Sequence, residues 1–345
     1  MLCSYKGRIF PFSSLITAGW VATTTTYFGP QAFSLMSLVL IKKLYICEKV
    51  KIWEYLFYML CLIYGANTEQ MCIVLFICYG IASIYFTLKK KIFFRLYLMF
   101  MVATSSLVYT MTCPGNKVRA TDEIIRWFPT YGMFDVIDKA DIGISTTLKW
   151  MFLDGNILVI ITCVVFAILI FKRYSNTIYR VIAIIPCIFT SMCGPLKDIL
   201  CSEYPNAYIM LSDINRSGSF NASNNIGIGS GTLQFGILLL VALCISVDII
   251  LLNDSCEALL VDFVLVVSGV ATRAMMGYSP TVYASSTRTY TTLFVCLLAV
   301  SIHIFANNRK YFVGNKELDV IKYVSITLII MGLVDLAFLV VTAFY

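Results

Sequence analysis

Two arginines bracket the part of the chain best suited to hold a phosphate. Residues 271–290 read ATRAMMGYSPTVYASSTRTY, which sets Arg273, Tyr278, Ser279 and Arg288 beside Tyr283, Ser285 and Ser286. Planar, permanently charged guanidinium groups suit phosphate or pyrophosphate, and hydroxyls with aromatic faces suit a sugar. An arginine at a helix end can equally snorkel to lipid headgroups. A second basic stretch, CPGNKVR, contributes Asn116, Lys117 and Arg119, so the expectation is a convergent anionic-lipid site. Glu69 is the acid of the turn Asn67–Gln70 between two apolar runs. A carboxylate at that depth is costly unless paired or hydrated, which leaves three readings open: catalytic base, structural group or exposed interfacial group. Asp248, Asp262 and Asp335 lie in or near apolar runs. They could line a proton path, but their wide separation favours helix–helix hydrogen bonds. His303 sits near a helix end, where an interfacial role is expected.

Composition sets the surroundings of these groups. Of the 345 residues, 59% are hydrophobic and 13% charged, with a mean hydropathy of +0.85. Soluble domains carry roughly 45–50% apolar and ~25% charged residues, so an ordinary soluble enzyme and a disordered chain are both excluded. The net charge of +7 comes from short basic clusters between apolar runs, which is a topology signal and not a nucleic-acid one. The chain has one His and 13 Cys, with no C-x-x-C pair. No ligand cluster for a metal is visible, and no cofactor is expected. Cys113, Cys193 and Cys201 fall near outer loops, which leaves one disulfide open beside the commoner reading of cysteine as a small hydrophobe.

The elements that must carry the site are membrane helices. Apolar runs occupy about Phe12–Ile41, Ile52–Ala66, Met71–Leu88, Leu96–Thr112, Trp150–Phe171, Ile178–Leu200, Leu233–Leu252, Ala258–Ala271, Thr289–Ala306 and Val320–Tyr345. At about 20 residues per span, this predicts an all-α, polytopic helical bundle of about 9–10 transmembrane segments, two of the runs being short. Pro186 should bend its helix, and Gly194-Pro195 should end it. The connections 42–51, 89–95, 172–180 and 309–322 hold more than half of the 26 Lys and Arg and are expected on the cytoplasmic side. The alternate connections are then external: 67–70, 113–149, 201–232 and 273–288. Residues 113–149 read as an extracytoplasmic loop with an interfacial amphipathic segment. Residues 201–232, rich in Ser, Asn and Gly, read as a flexible extracytoplasmic loop. The whole of 1–345 reads as a single transmembrane domain. On this map residues 1–11 begin outside with no preceding span, so an upstream span and outer loop are expected to be missing.

The ordered set Trp20, Thr23 to Tyr27 and Pro30, then Ala66–Gln70, Cys113–Arg119 and Arg273–Tyr290 resembles an uncharacterised family of bacterial polytopic membrane proteins. That family is similar to O-antigen glucosyltransferases of the GtrII-like type, within the wider class of GT-C-type glycosyltransferases. The resemblance implies a GT-C-like fold in the bacterial cytoplasmic membrane. It also implies a polyprenyl-phosphate sugar donor and an envelope glycan acceptor as partners beside the lipid bilayer, and no nucleic acid. In that class a carboxylate of the first outer loop acts as general base. Here Lys6-Gly7-Arg8 looks like the end of that loop, and the acidic loop itself has no counterpart. Carried onto this chain, Glu69 becomes the candidate base, and Asn116, Lys117, Arg119, Arg273, Tyr278, Ser279 and Arg288 become candidate substrate-binding residues. A transporter or flippase of lipid-linked sugars, or a non-catalytic membrane scaffold, is the alternative.

Overall fold

The structure is a computed structural model that describes residues 25, 29–206, 218–219, 228–285 and 289–312, with only the backbone described at 116, 117, 228–230 and 312. Among these residues it has twelve α-helices and no strand. Helices suit a chain this apolar because each satisfies its own backbone hydrogen bonds away from water. In order they are α1 (Gly29–Tyr45), α2 (Ile52–Gly65), α3 (Glu69–Leu88), α4 (Phe94–Thr112), α5 (Pro114–Trp127), α6 (Val136–Phe152), α7 (Ile157–Arg173), α8 (Thr177–Cys193), α9 (Lys197–Glu203), α10 (Ile228–Leu252), α11 (Cys256–Ala274) and α12 (Thr291–Asn307). Short 3-10 turns occur at Pro129–Met133, Met275–Tyr278 and Arg309–Phe312.

Among the described residues, fewer helices than the expected nine to ten spans reach the length and hydropathy of a span. Four helices are long and apolar enough to cross a membrane: Glu69–Leu88, Phe94–Thr112, Gly231–Leu252 and Cys256–Tyr278. The number reaches six if each of two bent pairs is one span. The reasons are local. At 14 residues, α2 rises about 21 Å, short of a ~30 Å hydrocarbon core. The run Trp150–Phe171 splits between α6 and α7, bent by 68°, and Ile178–Leu200 splits between α8 and α9, bent by 77°. Pro186 does not interrupt α8, which ends at Gly194. The run expected to be short, Ala258–Ala271, instead belongs to a 23-residue span. Most of Phe12–Ile41 before Gly29, and all of Val320–Tyr345 with Asp335, lie outside the described residues.

The described residues of the two expected loops include helices. Residues 113–149 hold α5, a 3-10 turn and most of α6. The stretch 201–232 contains the end of α9 and the start of α10, and residues 207–217 and 220–227 lie outside the described residues. Cys113, Cys193 and Cys201 are free thiols.

The chain divides into two compact units, each built from discontinuous segments. The first, here the arginine unit, comprises residues 16–143 and 264–296. Its core gathers Leu40 of α1, Leu62 of α2, Leu75 and Tyr79 of α3, and Leu96 and Met99 of α4. The Tyr79 hydroxyl donates to the Ser37 carbonyl at 2.7 Å, so its polar end is satisfied where water is absent. Thr68 caps α3, its hydroxyl accepting from the Met71 N–H at 3.4 Å.

The second, the aspartate unit, comprises residues 1–15, 144–263 and 297–345. Asn156 and Asn176 cap α7 and α8, each accepting backbone N–H bonds through its side-chain oxygen, which supplies partners the first helical turn lacks. Thr162 of α7 and Ser301 of α12 share a hydrogen bond of 2.9 Å. At one end, Asp254 in the α10–α11 turn pairs with Arg173 at 2.6 Å and Lys310 at 2.9 Å. Arg173 also donates to the Leu252 carbonyl and the Asn308 side-chain oxygen.

The Lys310 hydrogen bond, aided by Arg173, holds the Asp254 carboxyl below its ordinary range, and Asp254 raises Lys310 in return. A depressed carboxylate contributes stability above its unfolded pKa and loses it as the pH falls through the folded value. The raised Lys310 contributes below its unfolded pKa and loses its share as the pH rises through its folded value. These groups are largely exposed, so the effect is small. Thermal midpoints followed against pH in Asp254→Asn are expected to show a flatter acid limb than in the parent protein.

Candidate functional site

Arg273 lies in the last turn of α11. The sequence expectation placed it at an exposed interface, and the structure buries it at 2% exposure. Its guanidinium carbon sits 4.3 Å from the centre of the Tyr290 ring, a cation–π distance. Nη2 donates to the Val282 carbonyl at 3.4 Å. Nε and Nη1 are buried with no hydrogen-bond partner among the described residues. Taking a charge out of water costs several kcal/mol unless it is paired and hydrogen-bonded, so these N–H groups are a strong donor pair for an anion.

The turn that supplies Val282 also carries hydroxyls. Ser279 and Thr281 share a hydrogen bond of 2.9 Å, and the Ser285 hydroxyl donates to Thr281 Oγ1 at 3.1 Å. Thr281 and Ser285 are buried and Ser279 half-buried. A buried cation, an aromatic face and hydroxyls on one short turn are thus brought together by residues 273–290.

Two devices fix this turn. Gly143 of α6 and Gly277 of the 3-10 turn meet backbone to backbone: a Cβ on Gly277 would collide with the Lys139 carbonyl, and one on Gly143 with the Ala274 carbonyl. Around them pack Phe128, Tyr131, Ile142 and Val282. The Tyr131 hydroxyl donates to the Gly277 carbonyl at 2.9 Å, and burial pushes that phenol's pKa up. The second device is a polar clamp on the start of α12. Gln31 of α1 donates to Thr291 and Thr292 at 2.8 and 3.1 Å. Gln70 of α3 donates to the Thr289 carbonyl at 3.3 Å and accepts from Thr292 at 3.5 Å. Gln70→Ala removes both of its bonds from this buried clamp, and is expected to lower stability by about 1–3 kcal/mol, read as the chemical-unfolding midpoint in detergent.

Arg119 is mostly exposed on α5 and pairs with Glu123 at 2.7 Å, one turn along the same helix. Asn116 and Lys117 lie in the first turn of α5, and their side chains are not among those described. Tyr278 is 43% exposed, its hydroxyl donating to the Val136 carbonyl at 3.2 Å. Arg288 lies outside the described residues. Glu69 is exposed at the first position of α3, where a carboxylate complements the positive end of the helix dipole. The buried polar group of that turn is its neighbour Gln70.

Sequence reasoning missed Gln31 and Gln70, which stand out only as amides at the ends of apolar helices. It also missed the partner of Asp262. His303 Nδ1 lies 2.7 Å from Asp262 Oδ1, so the expected helix–helix hydrogen bond is present for Asp262. For Asp248 it is not: both carboxylate oxygens are buried without a partner among the described residues. No group of His, Cys, Asp and Glu that could hold a metal ion occurs among the described residues.

No family model, curated protein or solved structure matches this chain.

Proposed function

We propose that this chain is a glycosyltransferase-like protein of the bacterial cytoplasmic membrane that binds a polyprenyl-phosphate-linked sugar and acts on an envelope glycan. Arg273 holds the donor phosphate through Nε and Nη1, while Tyr290 supports the guanidinium from one face. Ser279, Thr281 and Ser285 offer hydroxyls to the phosphate or to the first sugar. The observation that carries this reading is the burial of Arg273 with two donor atoms unpartnered. A carboxylate base is the usual means of deprotonating an acceptor hydroxyl, and Glu69 is the candidate. Its exposure suits a group that meets an acceptor arriving from water.

The reading is tested by sugar transfer from a polyprenyl-phosphate donor in membranes carrying the full chain. Arg273→Ala is expected to abolish transfer, and Glu69→Ala to lower kcat with little change in donor KM. Full activity in both variants would reject the assignment. A transporter of the same lipid-linked sugars is the second reading. It is favoured by the two bent helix pairs and by Asp248 and Asp262 buried within spans, since transporters combine broken helices with intramembrane acids. Flipping of a fluorescent lipid-linked sugar in proteoliposomes, without sugar transfer, would favour it.

A further inference from the structure

The single histidine of the chain belongs to an ordered polar chain in the aspartate unit. Asp262 is fully buried on α11, and His303 on α12 has a side chain 35% exposed. Asp262 Oδ1 faces His303 Nδ1 at 2.7 Å, and Oδ2 accepts from Asn253 Nδ2 at 2.9 Å. The same Asn253 amide gives its other hydrogen to the Ile249 carbonyl at 3.0 Å, so both its N–H bonds are spent. His303 Nε2 lies 3.1 Å from Nδ2 of the exposed Asn307. An amide nitrogen can only donate, which makes Nε2 the acceptor and puts the ring proton on Nδ1, aimed at Asp262.

We propose that His303 and Asp262 form a proton-relay site, through which a proton from water at the end of α12 is loaded onto a buried carboxylate. A hydronium ion gives its proton to His303 Nε2, releasing Asn307. The Nδ1–H bond then breaks as an O–H bond forms on Asp262 Oδ1. One proton enters and one moves on. The ring ends neutral with its hydrogen on Nε2, and the carboxylate ends as a carboxylic acid. Return of a proton from Asp262 Oδ1 to Nδ1, with loss of the Nε2 proton to water, resets the site. A mere fastening between α11 and α12 needs neither a solvent-facing acceptor on one side of the ring nor a fully buried carboxylate on the other.

Asp254 and Lys310 are spent on each other and not on this carboxylate. Asp254, in the turn between α10 and α11, is paired with Arg173 of α7 and Lys310 beyond α12. Asp248 on α10 is the second buried acid of the unit and serves as the control.

Two measurements on the full chain in lipid nanodiscs test the proposal. With 15N-labelled histidine the protein gives one imidazole, and at alkaline pH its hydrogen is expected on Nδ1; a hydrogen on Nε2 would overturn the relay without any mutation. The second is infrared difference spectroscopy after an acid jump. A carboxylic-acid carbonyl band is expected in the parent protein and in Asp248→Asn. In the Asp248→Asn background, which removes the other buried acid, it should be lost with Asp262→Asn and appear about tenfold more slowly or less with His303→Gln. In that background, a band that survives Asp262→Asn, or that rises as fast with His303→Gln as without it, contradicts the proposal.

Discussion

Arg273→Met is expected to make the protein harder to unfold while nearly abolishing its preference for a phosphate-bearing lipid. The parent side chain keeps a full charge at 2% exposure with one weak carbonyl bond and one aromatic contact. Those contacts return less than burial of the charge costs. An apolar side chain of similar length removes that deficit, and the gain is expected to be about 1–3 kcal/mol, by analogy with buried ion pairs replaced by hydrophobic residues. Binding should move the other way. Charge-assisted hydrogen bonds contribute about 1.5–3 kcal/mol each, so losing two donors costs about a hundredfold or more in affinity. Stability gained where function is lost marks a group retained for binding. Arg273→Lys should fall between the two, since an ammonium keeps the charge but loses the planar stack on Tyr290 and the spread of donors. Unfolding midpoints in detergent and native mass spectrometry with polyprenyl phosphate read the two effects separately.

Gly277→Ala is expected to be the most damaging small substitution in the arginine unit. Its added carbon would strike the Lys139 carbonyl and lie 2.6 Å from the Gly143 nitrogen. The obstacles are backbone atoms, so no rotamer change relieves the collision and α6 must move off the 3-10 turn. Overpacking of this kind costs about 3 kcal/mol. Because Gly277 follows Arg273 by one turn, the phosphate preference should fall with stability. Gly143→Ala should behave alike, and the double variant should cost less than the two singly, as both break one contact. Gly236→Ala is the control: nothing lies within 4 Å of its added carbon, and a helical alanine there should be neutral or stabilising by about 0.5–1 kcal/mol. Circular-dichroism melting curves compare the four.

How far the sequence foretells this arrangement depends on the physics behind each signal. Apolar runs mark helices well where one run is one helix: α3, α4 and α10 end at Leu88, Thr112 and Leu252, where the expected runs end. They say less where a helix is mixed in character. Asp138, Lys139 and Asp141 belong to a stretch, 121–149, that reads as an interfacial amphipathic segment. Residues 136–149 are part of α6, with Ile142, Ser145 and Thr147 buried. Apolar runs also say nothing of bends, such as those between α6 and α7 and between α8 and α9.

The site was partly legible. Arg273 stood out by charge and neighbours, but its burial and its contacts with Val282 and Tyr290 are tertiary. Arg119 was grouped with it on the strength of a shared side of the membrane, which says nothing of distance; its partner is Glu123. In the 67–70 turn the sequence drew attention to Glu69, yet adjacent helical residues point about 100° apart, and Gln70 faces the interior. The Asp262–His303 pair had a faint trace. Asp262 lies six residues from the start of α11 and His303 four from the end of α12. At 1.5 Å per residue, those depths are similar.

The central claim is that a buried guanidinium selects a lipid-borne phosphate. It is tested most directly by competing polyprenyl phosphate against the uncharged polyprenol of equal length for the purified full chain. The parent protein should favour the phosphate by about a hundredfold, and Arg273→Met should bind the two alike. Equal binding by the parent, or a preference that survives Arg273→Met undiminished, would contradict the account.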